Sequence, residues 1–251
     1  MIVDADCHIS AAPVGFEIGV DELLKRMDGA GIDQAVCWPM LTYTREVAAD
    51  NRAIYRGSQS YPSRIIPFGG INPRLGLSAA KSELERCIAE YGVRGVKLNG
   101  ARDQYAIDDP QLAMPLIERI ASAGLVLALH CGANDYERTH PLRVARISDL
   151  FPELKILLVH MGGAGMPGLY DTVIELAERY PNWYLIDSEA DYRKVLQALR
   201  QLGADRVCFG SDSPFTPLRY EWGIRQVVYQ DLSPSEKALV CGGNISRVLG
   251  L

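Results

Sequence analysis

The sequence predicts an α/β protein, a single (β/α)8 TIM barrel over residues 1–251, and three observations predict it. Short apolar, β-branched runs recur eight times along the chain. Between them lie segments with the period of amphipathic helices. Ionisable residues collect at the C-terminal ends of the runs, where a barrel of this kind carries its chemistry.

The first run, "MIVDA" (1–5), leads straight into Asp6 and His8. It is followed by "VDELLKRMDGAG", in which Leu23, Leu24 and Met27 share a face and glycine closes the helix. "QAVCW" (34–38) precedes the helical segment "TREVAADNRAIYRGSQS". "RIIPFGGI" (64–71) precedes "LSAAKSELERCIAEYG", with Leu77, Leu84 and Ile88 on one side and Gly92 as the stop. "VRGVKL" (93–98) precedes "DPQLAMPLIERIASAG", where Asp109 is expected as N-cap and Pro110 at the first helical position. "LVLALH" (125–130) is paired with "LRVARISDLF", "LKILLVH" (154–160) with "YDTVIELAERYP", and "NWYLIDS" (182–188) with "YRKVLQALRQLG". "DRVCFGS" (205–211) and a closing helix in "SPSEKALVCGGNISRVLG" complete the set.

Successive run ends fall at intervals of roughly 25–35 residues. Most runs are continuously apolar, as strands covered on both faces must be. The alternative is an open doubly wound sheet, but no G-x-G-x-x-G follows the first run. "GGAGMPG" (162–168) follows the sixth run and lacks a Walker lysine, so it reads as a loop. No linker or composition break divides the chain, which predicts one domain.

The bulk numbers exclude several function classes. The chain is 48% hydrophobic and 23% charged with a net charge of −5. It has no lysine–arginine cluster, which argues against nucleic acid and anionic membranes as partners. No apolar run approaches a membrane span, and the first residues carry acids rather than a basic leader. Six scattered cysteines, none in a C-x-x-C pair, read as reduced and mostly buried thiols, so a cytoplasmic location is expected. A small-molecule substrate is the expected partner, and a homo-oligomer is compatible with the sequence.

The run ends carry the candidate site. Alternate residues of a strand share a face, so Asp4, Asp6 and His8 are expected to point one way. The fourth run offers Lys97 and Asn99, the fifth His130, the sixth His160, the seventh Asp187, Ser188 and Glu189, the eighth Asp212. Three of the four histidines end strands. Imidazoles and carboxylates converging on one rim are what a divalent cation needs. A Ser/His/Asp triad is the other use of such residues, but no G-x-S-x-G elbow occurs.

"VDADCHI", "GVKL", "LALHCG", "ILLVHMGG", "FGSDSPF" and the closing "GGNISRVLGL" resemble the amidohydrolase superfamily, and within it the amidohydrolase-related branch of metal-dependent barrel hydrolases and decarboxylases. The resemblance spans the whole chain. It implies Asp6, His8, His130 and Asp212 as metal ligands. It implies His160 as a contact to bound water or substrate, and Asp212 also as the proton shuttle. Most of the superfamily has H-x-H at the first strand; here Asp6 replaces the first histidine, a carboxylate-x-His variant found among the branch's decarboxylases. Zinc is the expected cation, with manganese as the alternative favoured by the added carboxylate. Lys97 stands where binuclear members carry a carboxylated lysine; a charge near the substrate or an ion pair is the favoured use here.

The expected reaction is hydrolysis of a small polar or anionic lactone, ester or amide by metal-activated water, with Asp212 as general base and His160 stabilising negative charge. The alternative is metal-dependent non-oxidative decarboxylation of a hydroxy-carboxylic acid, with Asp212 protonating carbon. Loop residues Tyr43, Arg45, Asn99, Arg102 and Arg138, together with Lys97, are the candidate substrate contacts, the arginines being able to hold a carboxylate bidentately. Cys7 and Cys131 flank proposed ligands but are read as structural.

Overall fold

The computed structural model describes residues 1–40 and 47–251. The apolar runs form eight strands: β1 (Val3–Ile9), β2 (Gln34–Pro39), β3 (Ile65–Gly70), β4 (Gly95–Leu98), β5 (Val126–His130), β6 (Ile156–Val159), β7 (Trp183–Ile186) and β8 (Val207–Cys208). Each pairs in parallel with the next in sequence. Two backbone hydrogen bonds draw the ends of the sheet together: Ala5 N–H to Phe209 O at 2.9 Å and His8 N–H to Ser213 O at 2.7 Å. With helices between the strands, this is the expected (β/α)8 barrel.

The helices in chain order are α1 (Val20–Ala30), α2 (Ala48–Ser60), α3 (Leu77–Ala89), α4 (Gly100–Asp103), α5 (Met114–Ser122), α6 (Tyr136–Thr139), α7 (Pro141–Leu150), α8 (Leu169–Arg179), α9 (Tyr192–Leu202), α10 (Leu218–Val228), α11 (Pro234–Ala238) and α12 (Asn244–Leu249). Two apolar layers hold the barrel. Val3, Ala5, Val36, Phe68, Ala128 and Leu157 pack inside it, against Ile245, Val248 and Leu249 of α12. Cys7, Cys37, Leu129 and Leu158 face outward against helix residues such as Leu23, Leu84, Ile117 and Val173.

The elements depart from expectation at three places. α5 starts at Met114, not at Pro110. A helix begun at Pro110 would hold Pro115 in its interior, where proline removes a hydrogen bond and clashes with the preceding turn. Asp109 instead caps a turn, accepting from Gln111 N–H and Leu112 N–H. The closing segment breaks between α11 and α12 at Gly242, where a Cβ would stand 2.8 Å from Met1 O. α10 had no signal in the sequence. Its buried stripe includes Glu221 and Arg225 beside Leu218, Trp222 and Val228, and the two charges interrupt the apolar period.

Candidate active site

β1 does not alternate as expected. Its pairing with β2 runs Val3 to Gln34, Asp4 to Ala35, then Cys7 to Cys37, with a register shift between Asp4 and Cys7. Such a bulge spends an extra residue and turns the following side chains over. Val3 and Ala5 lie inside the barrel, whereas Cys7 and Ile9 lie outside. Asp4 therefore does not share a face with Asp6 and His8, which corrects the reading from simple alternation. Asp4 accepts from Asp6 N–H at 3.0 Å and Ser211 N–H at 2.9 Å, and burial raises its carboxyl to about 7.

Asp6 and His8 turn inward and are buried. His8 Nδ1 lies 3.2 Å from Pro39 O. A carbonyl only accepts, so the proton sits on Nδ1 and Nε2 points into the site. Trp38 Nε1–H donates to that Nε2 at 3.2 Å. The same nitrogen lies 3.2 Å from Asp212 Oδ1 and 3.5 Å from Asp6 Oδ1. A lone pair set against two carboxylate oxygens needs positive charge among them. A proton on Nε2 can supply it, but only by setting that proton against the Trp38 donor.

Asp212 and His160 reach the rim by a shared backbone device. Both have left-handed φ, 56° and 60°, just beyond their strands. Non-glycine residues hold that conformation at a cost, and such strain gathers at functional sites. Ligand atoms of Asp6, His160 and Asp212 all lie within 4.8 Å of one another. His130 stands beside this group: its ring centroid is 5.0 Å from that of His160, and its Nε2 lies 2.7 Å from Asn134 Oδ1. The loops behind these two histidines cross closely. Gly132, at φ 59°, sits where a Cβ would lie 1.7 Å from Gly162 O.

The charges are interdependent. Burial pushes the Asp6 carboxyl up, but the Lys97 ammonium and His8 outweigh it and hold Asp6 well below the usual carboxylate range. Burial pulls His8 down, yet the neighbouring Asp212 and Asp6 carboxylates prevail and raise it. Burial, with the charges of His160 and Lys97, drives His130 well below the ordinary imidazole value. Burial also lowers Lys97, against the pull of Asp6 and Asp212. The Lys97 Nζ sits 3.8 Å from the centroid of the Trp38 ring.

The fit to a divalent cation rests on one further observation. Asp6 Oδ1 is buried and accepts no hydrogen bond. A bare, ionised carboxylate oxygen beside an imidazole lone pair and a second carboxylate is a cation's donor set, and these residues fit one.

The candidate substrate contacts divide. Asn99 Oδ1 caps Arg102 N–H at 3.0 Å, and its Nδ2 is buried without a hydrogen-bond partner. Arg102 lies over the Phe215 ring, Cζ 5.1 Å from the centroid, and Phe215 meets His8 edge-on at 5.1 Å. Arg138 on α6 is engaged at 2.5 Å by Asp135, which caps that helix. Tyr43 and Arg45 lie outside the described residues. Cys7 and Cys131 are buried free thiols. Phe215 was not singled out from the sequence, its only signal being its place beside a strand-end acid in "SDSPF"; Ser188 was named at the end of the seventh run but given no role.

A family model described as Amidohydrolase matches residues 6–251. The chain belongs to the amidohydrolase family. Within that family its named curated relatives are decarboxylases. It is 25% identical over 225 residues to 2-amino-3-carboxymuconate-6-semialdehyde decarboxylase of Dictyostelium discoideum, covering 76% of this chain and 62% of that protein. It is 27% identical over 207 residues to gamma-resorcylate decarboxylase of a Polaromonas species, covering 61% of each. The chain thus spans about three fifths of the length of these relatives. Among solved structures, a Polaromonas dihydroxybenzoic acid decarboxylase with bound manganese and the inhibitor 2-nitroresorcinol superposes with a TM-score of 0.77 at 20% identity, covering 100% of this chain and 97% of that one. These relatives overturn the expectation of a hydrolase acting on a lactone, ester or amide. The physical reason is that metal-activated water and metal-held carboxylate use the same ligands, so the ligand pattern did not separate the two reactions.

Proposed function

We infer that this amidohydrolase-family barrel is a metal-dependent, non-oxidative decarboxylase of a small hydroxy-carboxylic acid. The observation that carries the reading is the bare Asp6 Oδ1 facing His8 and Asp212, in a chain whose curated relatives are named decarboxylases. Asp6, His8 and Asp212 would hold the cation, with one further nitrogen from the His130–His160 pair. Two carboxylates harden the donor set, which together with the manganese of the related structure supports manganese ahead of zinc. When bound, the cation supplies Lewis-acid charge for the substrate's oxygens.

The chain's own residues supply the rest. The Lys97 ammonium, the Asn99 Nδ2 donor and the Arg102 guanidinium are placed to bind anionic oxygens. Trp38 and Phe215 present apolar faces that exclude water from the reacting carbon. The Asp212 carboxylate takes up the proton that the substrate's hydroxyl gives up as it ionises, and delivers it to the carbon that bears the substrate carboxylate. The bond from that carbon to the carboxylate then breaks. Its electron pair restores the conjugated system, and carbon dioxide leaves. The Lys97 ammonium balances negative charge that develops on the substrate.

The test is release of carbon dioxide from a panel of hydroxybenzoic and unsaturated hydroxy-carboxylic acids by the manganese-loaded protein. Turnover of at least one member, abolished by chelator and restored by manganese, is expected. Release from none of them, with the metal bound, would overturn the reading.

A further inference from the structure

Ser188 lies two residues beyond β7 and is fully buried. Its hydroxyl donates to Asp6 Oδ2 at 2.6 Å. Its backbone carbonyl lies 3.1 Å from His160 Nδ1, and its hydroxyl 3.2 Å from the same nitrogen. The carbonyl can only accept, so Nδ1 of His160 carries a proton. The hydroxyl hydrogen is then directed to Asp6. One residue thus occupies the second oxygen of Asp6 and one nitrogen of His160 at once. Asp6 is left to present Oδ1 alone, and the lone pair of a neutral His160 sits on Nε2.

Ser188 is itself held firmly. Arg225 Nη2 donates to the carbonyl of neighbouring Asp187 at 2.6 Å, and Gly210 N–H donates to Asp187 Oδ1 at 3.1 Å. Gly210 also makes the room: a Cβ there would stand 3.0 Å from Asp6 Cβ and 3.4 Å from Ser188 Cβ.

We propose that Ser188 is a positioning residue whose hydroxyl makes Asp6 a one-oxygen ligand and so sets the affinity of the site for its divalent cation, while its backbone carbonyl holds the tautomer of His160. The proposal rests on the metal-dependent reading above. Partners that orient metal ligands typically change metal affinity by about 10–100-fold when removed.

The experiment is a titration of the chelator-treated full chain with manganese, followed by the electron paramagnetic resonance of the free ion. Ser188→Ala is expected to raise the manganese Kd about 10–100-fold, with the metal-free melting temperature near that of the parent. Ser188→Thr, which keeps the hydroxyl, is expected to stay within a few-fold of the parent. A hydroxyl that served packing alone would lower the melting temperature and leave manganese affinity where it was, and that result overturns the proposal. Should the alanine variant not fold, Ser188→Cys keeps the volume with a weaker donor, and parent-like affinity there overturns it equally. A parent chain that binds no manganese removes the functional reading and this role together. A parent that binds manganese beside a Ser188→Ala variant that binds as tightly removes only the role of Ser188.

Discussion

Asp212 has two jobs that pull in different directions under substitution. As a ligand it is one of several oxygens and nitrogens around Asp6 and His8. An amide oxygen in its place can still approach a cation. As a proton carrier it has no substitute, because an amide delivers no proton to carbon. Asp212→Asn is therefore expected to keep the fold, to weaken metal binding in part, and to lose turnover by about 10²–10⁴-fold at full metal occupancy. Carbon dioxide release at saturating manganese measures this. A variant within tenfold of the parent would reassign the proton to the neighbouring imidazoles. The residues themselves were legible in the sequence, because each ends an apolar run and the backbone delivers it to the rim. What Ser188 does was not legible, because its partner Asp6 is 182 positions away and a strand-end serine has no distinctive pattern.

At the scale of elements, α10 decides how the ends of β7 and β8 are held. Arg225 is buried with Nε 3.1 Å from Asp187 Oδ2 and Nη2 2.6 Å from Glu221 Oε1. Tyr229 O–H donates to the same Asp187 carboxylate, and Asp187 in turn receives Gly210 N–H. Removing the arginine leaves two buried carboxylates without their counter-charge. Arg225→Met is expected to cost about 3–5 kcal/mol of stability, the usual penalty for breaking a buried pair from one side. Denaturant unfolding measures it. Adding Glu221→Gln should recover part of the loss, since one of the stranded charges is then gone. An Arg225→Met variant as stable as the parent would mean that the network carries no net stability. The helix that bears this arginine was missed in the sequence for the same reason that it matters: its buried face carries charges, which erase the apolar period.

For the whole molecule, the site draws on β1, β8 and the ends of β6 and β7, so a bound cation ties together parts of the barrel far apart in sequence. A ligand that binds only the folded state stabilises it by mass action. Manganese at about 100 times its Kd is expected to add about 2.7 kcal/mol, seen as a rise in melting temperature that chelator reverses. No shift with manganese, zinc or other divalent ions would mean that the rim does not bind one. Among the described residues no helix is long and apolar enough to cross a membrane.

The sequence by itself determined the barrel and the positions on its rim. Strand and helix periods are local signals, and a parallel eightfold repeat has few ways to close. That is why β3 to β8 fall inside the apolar runs, and why Asp6, His8, His130, His160 and Asp212 stood out before any contact was known. Tertiary structure alone decided the finer chemistry. The bulge in β1 separates Asp4 from Asp6 and His8, and it follows from pairing with β2 rather than from the residues of β1. The proton on His8 Nδ1 follows from Pro39, and the occupied Oδ2 of Asp6 from Ser188, both partners remote in sequence. Such contacts form only when the barrel closes, so no local pattern in the chain announces them.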